Sequence, residues 1–71
     1  MLMIEVLKTN VENKRQAGRL LAALNRHFPS AEINFDLDDC DSILRVKNAK
    51  VCLLTIKKIL ADQGFECEVL E

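Results

Sequence analysis

The chain has 71 residues, of which 49% are hydrophobic and 30% are charged, with only two Gly and one Pro. This composition predicts one packed domain over residues 1–71 and excludes a disordered or low-complexity chain. Ten Lys and Arg residues against eleven Asp and Glu residues give a net charge of −1. No overall positive charge favours nucleic acid or an anionic membrane surface, so we predict neither as a partner.

The start of the chain, MLMIEVLK, has neither the basic region nor the long apolar run of a secretory signal. No segment reaches the roughly 20 apolar residues of a membrane span. The cysteines are Cys40, Cys52 and Cys67. An odd number of Cys without CxxC spacing is typical of reduced thiols rather than of a disulfide framework. We therefore predict a cytoplasmic protein.

Residues 2–8 begin the series of elements with the period-two alternation of a strand. One side carries Leu2, Ile4 and Val6, and the other carries Met3, Glu5 and Leu7. Thr9 and Glu12 match a capping box at the start of a helix, and Asn10 is the alternative cap. Helical spacing of apolar residues predicts about four turns, which Pro29 ends. The inner face of this helix holds Asn13, Ala17, Leu20, Leu21, Leu24 and Phe28.

A hairpin, a second helix and a last strand follow. Residues 32–38 and 43–47 alternate as two strands, joined by an acidic turn. Asn48 is a candidate cap for the second helix, and Gly64 suits its end because Gly tolerates left-handed geometry. Residues 65–70 alternate as a fourth strand. The residues predicted to face the core in this half are Ile33, Phe35, Leu37, Leu44, Val46, Cys52, Leu53, Ile56, Ile59, Leu60, Phe65, Cys67 and Val69.

The resulting order, βαββαβ, predicts the α+β class and a ferredoxin-like sandwich. Right-handed crossovers give a four-stranded antiparallel sheet in the order 4-1-3-2, with both helices on one face. The other face of the sheet is left open. Its predicted residues are Met3, Glu5, Leu7, Asn34, Asp36, Ile43, Arg45, Lys47, Glu66, Glu68 and Leu70.

Three stretches carry a resemblance to a known family: TNVEN at residues 9–13, LLAALNRHFPSAEINFDLDD at residues 20–39, and Gly64 with Phe65. Over nearly its whole length the chain is similar to the heavy-metal-associated domain, the small fold of copper chaperones and of modules of metal-pumping ATPases. The family's loop after the first strand reads Met-Thr-Cys-x-x-Cys. Here Thr9 keeps its place, while Asn10 and Asn13 stand where the family has both Cys. The resemblance also puts Phe65 beside this loop.

The change from Cys to Asn alters what the loop can bind. A soft Cu(I) ion prefers thiolate or thioether ligands, and a carboxamide supplies only a hard, weak oxygen donor. We therefore predict no metal site and no cofactor at Asn10 and Asn13, which we interpret as caps of the helix start. The alternative is that this loop, with Lys14 and Arg15 beside it, binds an anion or a small ligand.

Other candidate sites are weaker. The acidic segment at residues 36–41 lacks the Gly of a calcium loop and has Lys47 where the ion requires a Glu. Cys40 is an alternative metal ligand, although the neighbouring carboxylates disfavour its thiolate. We interpret His27 as a structural residue near a helix end. No Ser-His or Cys-His signature and no Gly-rich phosphate loop occurs, so we predict that the protein is not an enzyme.

Two surfaces are candidates for contact with a partner. The open sheet face mixes apolar and charged residues, with Glu5 expected near Arg45 or Lys47, and its lack of aromatic residues excludes base stacking with RNA. On the second helix, Val51 and Leu54 are expected to point away from the core.

The leading hypothesis is therefore a non-enzymatic domain that acts by protein contact or as a homodimer. The alternative is metal handling by a site rebuilt from Cys40, neighbouring Asp residues or a second subunit. This alternative requires the turn between the second and third strands to lie near the loop after the first strand, and we expect the two not to meet.

Overall fold

The computed structural model describes residues 2–38, 42–48 and 50–70. In chain order its elements are β1 (Met3–Thr9), α1 (Lys14–His27), β2 (Glu32–Asp36), β3 (Ile43–Asn48), α2 (Leu53–Asp62) and β4 (Cys67–Val69). The strands form one antiparallel sheet in the order β2-β3-β1-β4. This is the predicted order read from the other edge, so the ferredoxin-like α+β topology is confirmed.

The core lies between one face of the sheet and the two helices. Burial of these apolar side chains is the main stabilising term, at about 25 cal/mol for each Å² removed from water. The side chains that are fully buried there are Leu7, Leu20, Leu24, Leu44, Val46, Ile56 and Leu60. Both helices and both central strands contribute to this set, so the helices cover the same face of the sheet.

The predicted orientation of β1 is wrong. Leu7 is fully buried and pairs with Leu44 in the register of β1 and β3, whereas Ile4 is 60% exposed on the other face. Met3, Glu5 and Leu7 therefore share the helix-covered face, and the predicted proximity of Glu5 to Arg45 or Lys47 is wrong because Glu5 pairs with Val46. Both sides of β1 are apolar, so alternation alone could not decide which side is buried.

The start of α1 confirms one of the predicted caps, Asn13, and contradicts the others. Asn13 is the N-cap, and its side-chain Oδ1 accepts a hydrogen bond from the Gln16 N–H at 2.9 Å. The capping box at Thr9 and Glu12 is wrong, and Asn10 is not the cap either. Thr9 remains part of β1, because its hydroxyl donates to a carbonyl on the other side of the loop.

The ends of α2 show three wrong predictions and one confirmed prediction. The N-cap is the exposed Cys52, whereas Asn48 is the last residue of β3, so the predicted cap and the predicted core position of Cys52 are both wrong. Val51 is half-buried against the core instead, contrary to the prediction that it points away. Gly64 follows the helix with φ of +88°, the left-handed geometry expected of it.

Neither helix in the described ranges has the length and apolar character needed to cross a membrane.

Candidate functional site

Three segments of the chain meet at the end of β1. They are the β1–α1 loop at residues 9–13, the residue before β3, and the stretch at residues 65–67 that leads into β4. Backbone hydrogen bonds join Thr9 to Ser42 and Asn10 to Glu66. In the family that the sequence resembles, this end of the fold carries the metal loop, so we describe it as the candidate site.

Thr9 and Ser42 form the most buried part of this site. Thr9 is 8% exposed, and both its N–H and its hydroxyl donate to the Ser42 carbonyl, at 3.2 and 2.7 Å. The Ser42 hydroxyl donates to the Val11 carbonyl at 2.6 Å, and the Thr9 hydroxyl oxygen accepts from the Val11 N–H at 3.3 Å. Ser42, the residue before β3, is therefore bonded to the β1–α1 loop. Residues 39–41 of the predicted turn lie outside the described residues, so the expectation that this turn and the loop do not meet stays a prediction.

Ser42 achieves these contacts in an unfavourable backbone conformation. Its φ is +48°, in the left-handed region that residues other than Gly, Asn and Asp rarely adopt. Such strain persists only where the surrounding contacts impose it. The three hydrogen bonds to Thr9 and Val11 supply that constraint, so Ser42 fixes the β1–α1 loop against the start of β3.

Asn10 joins the loop to the stretch before β4. Its side-chain Oδ1 accepts from the Glu66 N–H at 2.8 Å, and its own N–H donates to the Glu66 carbonyl at 3.3 Å. Asn10 and Glu66 continue the β1–β4 register by one residue beyond Thr9 and Cys67. The acceptor for the Glu66 N–H is the Asn10 side-chain oxygen instead of a backbone carbonyl. Asn10 thus extends the sheet rather than capping the helix.

Asn13 and Gln16 complete the start of α1. While Asn13 caps the Gln16 N–H, the Gln16 side-chain oxygen accepts from the Glu12 N–H at 2.7 Å. This reciprocal arrangement resembles a capping box with Asn as the cap and Gln three residues later. The capping role of Asn13 is confirmed, whereas its reciprocal partner is Gln16 and the predicted pair of Thr9 and Glu12 is wrong, although the spacing of Asn13 and Gln16 is visible in the sequence.

The hydrogen bonds leave the loop with few groups for a ligand. The N–H groups of Thr9, Asn10, Val11 and Glu12 all donate within the chain, as does that of Gln16. Val11 is 2% exposed and packs into the core, which holds the loop against the sheet. Each Asn side-chain oxygen already accepts from a backbone N–H. Of the loop and first-turn N–H groups, those of Asn13, Lys14 and Arg15 are the ones for which an anion could still compete.

Phe65 and Cys67 lie beside the loop, on one wall of an open groove of about 550 Å³. Phe65 is half-buried against the core, in the place that the resemblance implied. Cys67 pairs with Thr9 across β1 and β4. Burial raises the pKa of the Cys67 thiol, and the Lys57 ammonium partly opposes that shift. This environment favours the neutral thiol of Cys67, which is a weaker nucleophile than a thiolate.

Cys52 has the opposite environment. It is exposed at the start of α2, and the Thr55 hydroxyl lies 3.2 Å from its sulfur. Hydrogen bonds from the hydroxyl and the backbone N–H of Thr55 lower the pKa of this thiol. Both Cys52 and Cys67 are predicted from the sequence to face the core, and Cys52 is the one that the structure leaves exposed.

The other predicted ligands do not form a cluster. Over residues 2–38, 42–48 and 50–70, no three His, Cys, Asp or Glu side chains are grouped so as to hold a metal ion. His27 is exposed and its Nδ1 lies 3.1 Å from the Ala23 carbonyl, within its own helix. Cys40 lies outside the described residues, as do Asp39 and Asp41 of the acidic segment.

The predicted contact surfaces are partly confirmed. On the open face of the sheet, Arg45 pairs with Asp36 at 3.7 Å, and Lys47 lies opposite Ile4. Leu54 is 80% exposed on α2, as predicted. Four other large apolar side chains are exposed together near the start of β1 and the end of β4, namely Leu2, Met3, Ile4 and Leu70.

No protein-family model matches the sequence, and no curated protein matches it. Among solved structures, the chain is similar to one described as "CsoZ metallochaperone", with a TM-score of 0.74 over 100% of both chains and 18% sequence identity. At that identity the similarity establishes the shared fold. It agrees with the four antiparallel strands and two helices described above.

Proposed function

We propose that this chain is a small non-enzymatic domain that acts by contact with another protein or with itself. We further propose that its β1–α1 loop does not hold a metal ion through its own side chains. The observation that carries the second part is the pair of hydrogen bonds from backbone N–H groups to the Oδ1 atoms of Asn10 and Asn13. Two oxygens committed to the fold, in positions where Cu(I) requires sulfur, make a poor site for that ion.

Exposed apolar residues support the first part. Leu2 and Ile4 are 61% and 60% exposed, and Leu54 is 80% exposed. Single exposed apolar residues are ordinary, but adjacent ones are typical of surfaces that contact a partner. A domain of 71 residues also buries only about 60% of the surface its unfolded chain exposes, so partner binding would add to a small stability.

A second candidate function, metal handling, has two observations in its favour. The similar solved structure is described as a metallochaperone. In addition, the hydrogen bonds from Thr9 and to Val11 bring Ser42 to the β1–α1 loop, and Cys40 is two residues before Ser42 in the sequence. In this alternative, the thiol of Cys40 binds the ion together with neighbouring Asp residues or groups of a second subunit.

Titration of the fully reduced protein with Cu(I) against a competing chelator separates the two candidates. We expect no tight one-to-one uptake by the unchanged chain. The matched positive control is the double variant Asn10→Cys with Asn13→Cys, which restores two thiols with the family's spacing and should take up one ion. Tight one-to-one uptake by the unchanged chain that is lost in Cys40→Ser would overturn the proposal and establish the second candidate.

A further inference from the structure

The first half of β1 has a backbone edge, on the side of β4, that no strand among the described residues pairs with. The Leu70 N–H donates to the Val6 carbonyl at 2.9 Å, and the Asn10 N–H donates to the Glu66 carbonyl. Even-numbered residues of β1 therefore direct their backbone groups towards β4. Ile4 is the next even-numbered residue towards the start of the strand, and no described residue pairs with it on that side.

The side chains along this edge lack the usual protection. Natural proteins guard exposed strand edges with charged residues, Pro or bulges, because an unprotected edge is a template for pairing with another strand. Here Leu2, Met3 and Ile4 are 61%, 42% and 60% exposed and carry no charge. Leu70, at the end of β4, is 41% exposed and extends the apolar surface along the open face of the sheet.

We infer that this edge pairs, antiparallel, with the same edge of a second copy of the chain. The inference rests on the proposed contact function and names its partner and surface. A two-fold axis at Met3 places Leu2 opposite Ile4 of the second copy, and the backbone groups of both residues face the new neighbour. Each copy then satisfies the free edge of the other, and the apolar side chains of Leu2, Ile4 and Leu70 from both copies adjoin on one face.

The structure also excludes a competing register. With Ile4 opposite Ile4 of the second copy, Leu2 of that copy would lie opposite Val6, where Leu70 is already bonded. The two-fold at Met3 avoids that collision and places no charged residue opposite another within residues 2–4. A contact of three residues on each chain falls below the roughly 1,200 Å² of a standard stable interface, so the association is weak and depends on concentration.

The test is the mass of the full chain in solution over a wide range of concentration, combined with amide hydrogen exchange. We expect the mass to rise towards that of a dimer and the exchange of the Ile4 N–H to slow as concentration increases. Ile4→Glu places a charge on the edge and opposite Lys47, which favours the folded monomer, and should leave a single mass at all concentrations. The matched control is Leu54→Glu, which charges a still more exposed apolar site on α2 and should associate like the unchanged chain.

Three outcomes would overturn the inference: a monomer at every concentration, loss of association in Leu54→Glu but not in Ile4→Glu, or an Ile4 amide whose exchange does not change with concentration. Circular dichroism and urea unfolding of Ile4→Glu establish that it is folded. If the chain does not self-associate, the inference fails but the proposed function does not, because contact with a different protein remains. The Cu(I) titration tests the proposed function independently.

Discussion

The two ends of β1 have opposite properties. At Thr9 and Asn10 the strand enters a loop whose backbone groups are bonded within the chain and whose polar side chains are used as acceptors or donors. At Leu2 and Ile4 the side chains are mostly exposed, and β4 does not reach the backbone beside them. Within residues 2–38, 42–48 and 50–70, the chain itself supplies hydrogen-bond partners at one end and no second neighbouring strand at the other.

This difference indicates at which end of β1 the binding of a partner can contribute favourable free energy. A ligand at the loop would have to displace hydrogen bonds that already exist, so its own bonds would yield little net stabilisation. A strand at the free edge would replace water on groups that have no partner within the described chain, and would bury apolar surface at the same time. The end that resembles a metal-binding loop is thus the less available of the two.

The largest expected effect distinguishes the two faces of β1. Leu7→Ala removes a fully buried side chain and should lower the free energy of unfolding by about 2–5 kcal/mol, a large part of the stability of so small a domain. Ile4→Ala, on the same strand but 60% exposed, should change it by less than about 0.5 kcal/mol. Urea unfolding of both variants, at low protein concentration, measures the difference. Equal losses would contradict the observed orientation of the strand.

A smaller effect tests whether the loop Asn residues are structural. Asn13→Ala removes the acceptor for the Gln16 N–H and should cost about 1 kcal/mol, which corresponds to a melting temperature lower by about 4–8 °C. Asn13→Asp keeps an oxygen at the cap and serves as the control, with stability close to that of the unchanged chain. If both variants are as stable as the original, Asn13 is not needed for the fold and a ligand role regains support.

The smallest expected effect compares the two described thiols, Cys52 and Cys67. Hydrogen bonds from Thr55 lower the pKa of Cys52, and burial raises that of Cys67. Since the thiolate is the reacting form, alkylation by iodoacetamide should reach half its maximal rate at a lower pH for Cys52 than for Cys67. Peptide mapping by mass spectrometry follows each Cys separately. Thr55→Val should slow the alkylation of Cys52 at neutral pH and leave that of Cys67 unchanged. Faster alkylation of Cys67 than of Cys52 in the unchanged chain would contradict the pKa directions of both thiols.

Much of the fold could be predicted from local pattern. Alternation in β2, β3 and β4, helical spacing in α1 and α2, and Gly64 at a helix end each depend on residues close in the sequence, and all agree with the structure. Predictions failed where two local solutions competed. Thr9 and Asn13 are both good N-cap residues by type. The Thr9 hydroxyl is bonded to Ser42, 33 residues away, so Asn13 is the residue that caps α1.

The site was harder to predict than the fold for the same reason. That Asn10 and Asn13 replace two Cys can be read from the sequence, but their bonds to Glu66 and Gln16 can be seen only in the folded chain. The exposure of Cys52 and the burial of Leu7 likewise depend on which residues the neighbouring elements bring to each face.

By itself, the sequence determined the order of the elements, the sheet topology and the chemistry absent from the β1–α1 loop, because each of these depends on residue type and spacing along the chain. Only the tertiary structure decided which face of β1 is buried, that Ser42 meets the loop, and that the first half of β1 has a free edge. Those features depend on the register of strands far apart in sequence, and a period of two fits either face equally well until a neighbouring strand selects one.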